Sequence, residues 1–163
     1  MPGPGAFGHQ HGDPRSLAER IEAQLGERIV EAAEMAALEL LVSGRRKAGR
    51  PAPEEDNPRD RAEWVALSGD LLAHLRASLR GQLAESDRAA MDTAEAAGSD
   101  ARSRALLGQV RLARRLPDYW QRFDAARLAF FEARMGAATT EQTREKSSEK
   151  SGDKGWLRRL LGP

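Results

Sequence analysis

Trp64-Val65-Ala66-Leu67-Ser68-Gly69-Asp70-Leu71-Leu72-Ala73-His74-Leu75-Arg76-Ala77-Ser78-Leu79-Arg80-Gly81-Gln82-Leu83 places leucine at 67, 71, 75, 79 and 83. A step of four advances the stripe by about 40° per rung on a 3.6-residue helix. Such a ladder wraps slowly across the helix surface. It suits crossing against other helices better than a long two-stranded coiled coil. The pattern predicts a helix from about Pro58 to Ala97, stopped by Gly98-Ser99-Asp100.

The rest of the 163 residues point the same way. Ala, Leu, Arg and Glu dominate, and these residues lose little side-chain freedom in a helix. An all-α protein is expected, an antiparallel bundle of three to four helices. Residues 1–13 are expected to be a disordered N-terminal segment, rich in Gly and Pro. Residues 14–135 form the body, with 44–58 as an internal linker. In the first helix Leu17, Ile21, Leu25 and Ile29 make an apolar stripe, capped by Asp13 or Ser16 and ended by Gly44. The stripe then widens through Ala33, Met35, Ala36, Leu38, Leu40, Leu41 and Val42, which suggests contact with several helices or a dimer seam. A third helix is expected from Ser99 to Leu116. Pro117 then starts a fourth that reaches Met135 and carries Tyr119, Trp120, Phe123, Phe130 and Phe131, read as core.

The net charge of +1 conceals segregation. Acids outnumber bases seven to three over 13–43 and eight to five over 59–100, whereas 101–135 holds eight arginines against three acids. Two readings follow: the acidic elements pack on the basic ones with charges meeting at the rims, or the basic face meets an external anion. For the second, Arg104, Arg111, Arg115 and Arg122 align if the helix axis runs straight through Pro117, as a phosphate or nucleic-acid stripe would. Gly49-Arg50-Pro51 resembles the centre of the AT-hook, but Ala48 stands where its first arginine belongs and acids follow. A solvated loop is the better account.

Catalytic constellations are not assembled by this sequence. It lacks the phosphate-binding G-x-x-x-x-G-K-[ST] loop, the dinucleotide G-x-G-x-x-G and the G-x-S-x-G elbow. His9 and His11 sit on a tail without supporting residues, so no metal site is read there. His74 lies four residues after Asp70, and a surface pair or core contact is expected rather than a catalytic dyad. No cofactor and no small-molecule substrate are inferred. There is no cysteine, which excludes disulfides and is compatible with a reducing cytoplasm. The start of the chain has no basic and apolar pattern of a secretory signal.

Residues 136–154 have no apolar periodicity and are expected to be a flexible polar tether. The final stretch, 155–163, is different. At 100° per residue Trp156, Leu157, Leu160 and Leu161 share one face, with Arg158 and Arg159 opposite and Lys154 at the start. This is a short amphipathic helix with a cationic back. Lys154-Gly155-Trp156-Leu157-Arg158-Arg159-Leu160-Leu161-Gly162 resembles the C-terminal membrane-targeting helix of the Min-system cell-division ATPase, which reads Lys-Gly-Phe-Leu-Lys-Arg-Leu-Phe-Gly. The match covers nine residues, and without a nucleotide loop the ATPase activity is not carried over. What the resemblance implies is recruitment to an anionic membrane. A segment this short is far below the ~12–15 residues that hold a helix in water, so it should order only on a surface. The expected protein is therefore a non-enzymatic adaptor, cytoplasmic and peripheral at the inner membrane face, with weak tails that act in a homodimer. Two other readings stay open: a peptide that docks on a protein shell or another protein's groove, and a last helix folded onto its own body.

Overall fold

A computed structural model describes residues 14–149, with side chains through Gly136. Those residues hold five helices and no strand: α1 (Leu17–Lys47), α2 (Pro58–Arg80), α3 (Glu85–Glu95), α4 (Ala101–Arg115) and α5 (Tyr119–Glu149). The all-α class is as expected; the helix count exceeds the expected three to four. None of the described helices is long and apolar enough to cross a membrane. The expectations for residues 1–13 and for the tail from Lys154 onward lie outside the described residues.

Ser16 caps α1. Its Oγ accepts from the Glu19 N–H at 3.2 Å, while the Ser16 N–H donates to Glu19 Oε2 at 3.1 Å. This reciprocal box satisfies two otherwise orphaned donors. At the other end, the helix runs through Gly44 and stops only after Lys47. Gly49 is the terminator: its φ is +69°, and the N–H groups of Gly49 and Arg50 donate back to the carbonyls of Arg46 and Arg45. That left-handed turn is the glycine-dependent Schellman closure. Arg45 holds the last turn, so Gly44 does not end it: Nη2 donates to Asp60 Oδ1 at 2.6 Å and to Glu63 Oε2 at 2.8 Å.

The leucine ladder is the core of α2. Leu71, Leu75 and Leu79 are essentially fully buried, Leu83 is buried and Leu67 is half-buried. The helix itself does not continue to Ala97; it breaks at Gly81 and restarts as α3. Arg80 reaches Asp92 at 2.8 Å, and Arg76 reaches Glu95 at 2.7 Å. On an unbroken helix the second pair would stand roughly 28 Å apart at 1.5 Å per residue. The break lets α3 fold back, putting Leu83 and Met91 into the same core.

α3 packs chiefly on α4, α1 on α2 and α4, and α5 on α2. Asp100 caps α4 by accepting from the Ser103 N–H at 2.7 Å, and this bond holds its carboxyl below the usual range. Leu116 is extended, as the residue before a proline tends to be, and the axis ends there. Tyr119 and Phe123 are buried to 1% and 2% exposure, so the aromatic cluster is core as expected. Met135 packs against the core, and the backbone of α5 is helical to Glu149. The helix continues into a stretch that lacks apolar periodicity but has no proline to stop it.

The first turns of α1 depart from expectation. Leu17 is 65% exposed and Ile21 40% exposed; burial of that stripe begins with half-buried Leu25 and is complete at Ile29.

Candidate functional site

The charge segregation resolves mainly inward. Arg102 pairs with Glu34, Arg114 with Glu22, Arg115 with Asp87, Arg127 with Glu39 and Arg134 with Asp70. Each joins the basic C-terminal part to an acid from the earlier helices, so the acidic elements do pack on the basic ones with rim pairs. These pairs are surface contacts, individually worth at most about 1 kcal/mol. They matter more by neutralising the arginines.

The four arginines read as an anion stripe are not brought onto one axis. The extended Leu116 separates α4 from α5. Arg104 Nε donates to the Gly98 carbonyl at 3.2 Å, Arg115 Nε to Asp87 Oδ1 at 2.9 Å and Arg122 Nε to Asp118 Oδ2 at 3.0 Å. Arg111 is half-buried on α4. Gly49, the glycine of the AT-hook-like triplet, has the structural role described above.

His74 and Asp70 do not form a dyad. Asp70 accepts from Arg134 Nη2 at 2.9 Å, and the His74 ring lies 5.3 Å from that of Phe130, its buried Nε2 without a hydrogen-bond partner. Tyr119 donates to Gln109 Oε1 at 2.8 Å in the interior, where burial pushes its hydroxyl well above its ordinary pKa. Among the described residues no cluster of three or more His, Cys, Asp or Glu side chains is placed to hold a metal.

A part-buried polar contact joins α2 and α3 beside α4. Glu95 accepts two bonds from Arg76, 2.7 Å from Nε and 3.0 Å from Nη2. A Cβ on Gly108 would lie 2.9 Å from Glu95 Cγ, so the glycine makes the space that the carboxylate occupies. This contact fastens α3 and is best read as structural.

A surface that combines apolar residues with carboxylates left without a cation among the described residues lies between α1 and α4. On α1 the sequence puts Ala23, Gly26 and Val30 along one line, with glutamates at 19, 22, 27, 31 and 34 on either side. Opposite stand Leu106, Leu107 and Val110 of α4, and the groove between has a volume of about 630 Å³. Gly26 is buried where the two helices meet, and a Cβ there would make an ordinary van der Waals contact with Val110 Cγ2 at 3.6 Å. Leu107 is 37% exposed within it. Glu22 and Glu34 have Arg114 and Arg102 as partners. The carboxylates of Glu27 and Glu31 are exposed and have no partner among the described residues. The nearest cation by sequence, Arg28, is turned over the Trp120 ring, 4.5 Å from its centroid.

This groove went unread in the sequence. Its signal was small residues at three- and four-residue spacing flanked by glutamates. That pattern is easily taken for a solvated helix face, because the opposing apolar residues belong to an element far away in the chain. Comparison with protein-family models, curated proteins and solved structures finds no match for this chain.

Proposed function

We propose that this chain is a non-enzymatic adaptor or scaffold, a helical bundle carried reversibly to the anionic cytoplasmic face of a membrane by residues 154–162 and acting as a homodimer. The observation that supports this reading is the contrast between body and tail. Most arginines of 101–135 are occupied by acids of the same body. Lys154, Arg158 and Arg159 instead share a short segment with Trp156, Leu157, Leu160 and Leu161. Partial burial of those four apolar side chains is worth roughly 4–7 kcal/mol. Each cation adds up to about 1 kcal/mol near anionic headgroups. Ordering the segment offsets several kcal/mol of that gain, which leaves weak and reversible binding. Two tails on one particle raise residence through avidity.

Co-sedimentation with vesicles tests the proposal. The full chain should pellet with phosphatidylglycerol-containing vesicles, and less with pure phosphatidylcholine. Trp156→Glu should abolish pelleting without changing the melting temperature of the body. Pelleting that ignores lipid charge, or that survives Trp156→Glu, would sink the reading.

A further inference from the structure

We infer that the acid-rimmed groove between α1 and α4 seats residues 154–162 of a second copy of this chain, so that the same nine residues alternate between a sister molecule and a membrane. The inference rests on the amphipathic reading of that tail and adds a protein site for it.

Chemistry on both sides is complementary. The groove floor is apolar, lined by Ala23, Gly26, Val30 and Val110, with Leu107 partly open to solvent. Its rim carries Glu27 and Glu31, one helical turn apart and unpartnered among the described residues. Like charges at that spacing repel each other, so the bare rim gains from an arriving cation. The tail offers an apolar stripe for the floor, and Arg158 and Arg159 on its outer flanks have side chains long enough to fold back toward the rim. An amphipathic helix laid in such a groove is a familiar mode of peptide recognition.

Chain geometry selects the second copy over the chain's own tail. α5 runs alongside α1 in the same direction, since Trp120 meets Arg28 and Arg127 meets Glu39. At about 1.5 Å per residue, Glu149 lies roughly 40 Å farther along that direction than Gly26. The seven residues from there to Trp156 span at most about 25 Å when fully extended. With α5 helical to Glu149, a tail does not return to its own groove. A sister molecule has no such limit, and two chains exchanging tails make a closed, reciprocal dimer.

The absence of native cysteine makes a clean test possible. Full-length Leu107→Cys chain at natural isotope abundance is mixed with full-length Leu160→Cys chain labelled with ¹⁵N, and a short bismaleimide is added. Melting curves of both variants are first matched to wild type. A light–heavy product is expected. Glu27→Lys with Glu31→Lys on the light chain should lower its yield about five- to tenfold, the scale of two rim ion pairs. Arg158→Glu with Arg159→Glu on the heavy chain should restore the yield. Phosphatidylglycerol vesicles should reduce the product by competition. Absence of the light–heavy product, or indifference of its yield to the charge reversals, would overturn the inference. Persistence on vesicles would overturn the alternation. Pelleting without cross-linking removes this inference and leaves the membrane proposal standing; cross-linking without pelleting removes the membrane proposal and the alternation and leaves only the seat in the groove.

Discussion

The two ends of α1 treat charge in opposite ways. Near its C-terminus Arg45 is buried and meets two carboxylates, Asp60 and Glu63, at 2.6 and 2.8 Å. Asp60 in turn accepts from the Glu54 N–H at 2.9 Å, so a single cation ties the helix end, the following loop and the start of α2 together. Toward the N-terminus Leu17 and Ile21 are exposed and Glu27 and Glu31 stand unpartnered among the described residues. One end clamps its cation between two carboxylates, although the buried Arg45 Nε has no partner; the other carries apolar and acidic groups that the described body does not use. The lesson is that folding and recognition are divided along one helix, and substitutions should separate them.

The largest effect is expected where the helix is core. Leu40→Ala, at 6% exposure, should lower the unfolding free energy by about 2–5 kcal/mol. Ile21→Ala should change it by no more than about 0.5 kcal/mol. Urea titration of both variants checks the contrast, and similar losses would erase the distinction between the two ends. The helix termini come next. Gly49→Ala places a Cβ at φ +69° and should cost about 1–2 kcal/mol. Ser16→Ala removes the capping box and should cost about 1 kcal/mol. Thermal melts should rank them in that order.

Acid probes the clamp at the C-terminal end. Hydrogen bonding by Arg45, then by the Glu54 amide, holds the Asp60 carboxyl below its ordinary range. A carboxyl depressed in the folded state contributes stability that is complete above its unfolded pKa of about 3.9 and is lost as pH falls through the folded value. The stability gap between wild type and Asp60→Asn should therefore be constant from neutral pH down to about 5 and narrow below about 4. A gap that narrows near neutrality would mean that another group governs it.

Much of this was legible in the sequence, for reasons of range. The α2 ladder, the aromatic core of α5 and the matching of acidic to basic elements follow from periodicity and charge counts. Those signals average over many residues. The break at Gly81 was not legible, because the leucine spacing continues through it: Leu83 stays in the core from a turn rather than from the same helix. Gly44 looked like a stop because a glycine's neighbours in space are invisible in sequence. The true stop, Gly49, takes a positive φ and is followed within two residues by Pro51, which no helix can continue through at that point. The groove needed α1 and α4 side by side, and no local pattern states which helices touch.

The smallest effect discriminates most sharply. Neutralising Glu27 and Glu31 together, as Glu27→Gln with Glu31→Gln, removes an unrelieved like-charge pair one turn apart. If these carboxylates serve only as a solvated face, the body should gain about 0.2–0.5 kcal/mol and nothing else should change. If they serve the tail of a second copy, the same variant should gain that stability and lose self-association at once. Analytical ultracentrifugation beside a urea titration reads both. The stability gain should shrink in high salt, where the repulsion is screened over about 3 Å at 1 M. Opposite signs for folding and association mark residues kept at the surface at a cost to the fold, whereas a loss of stability would show that these glutamates hold the body together after all.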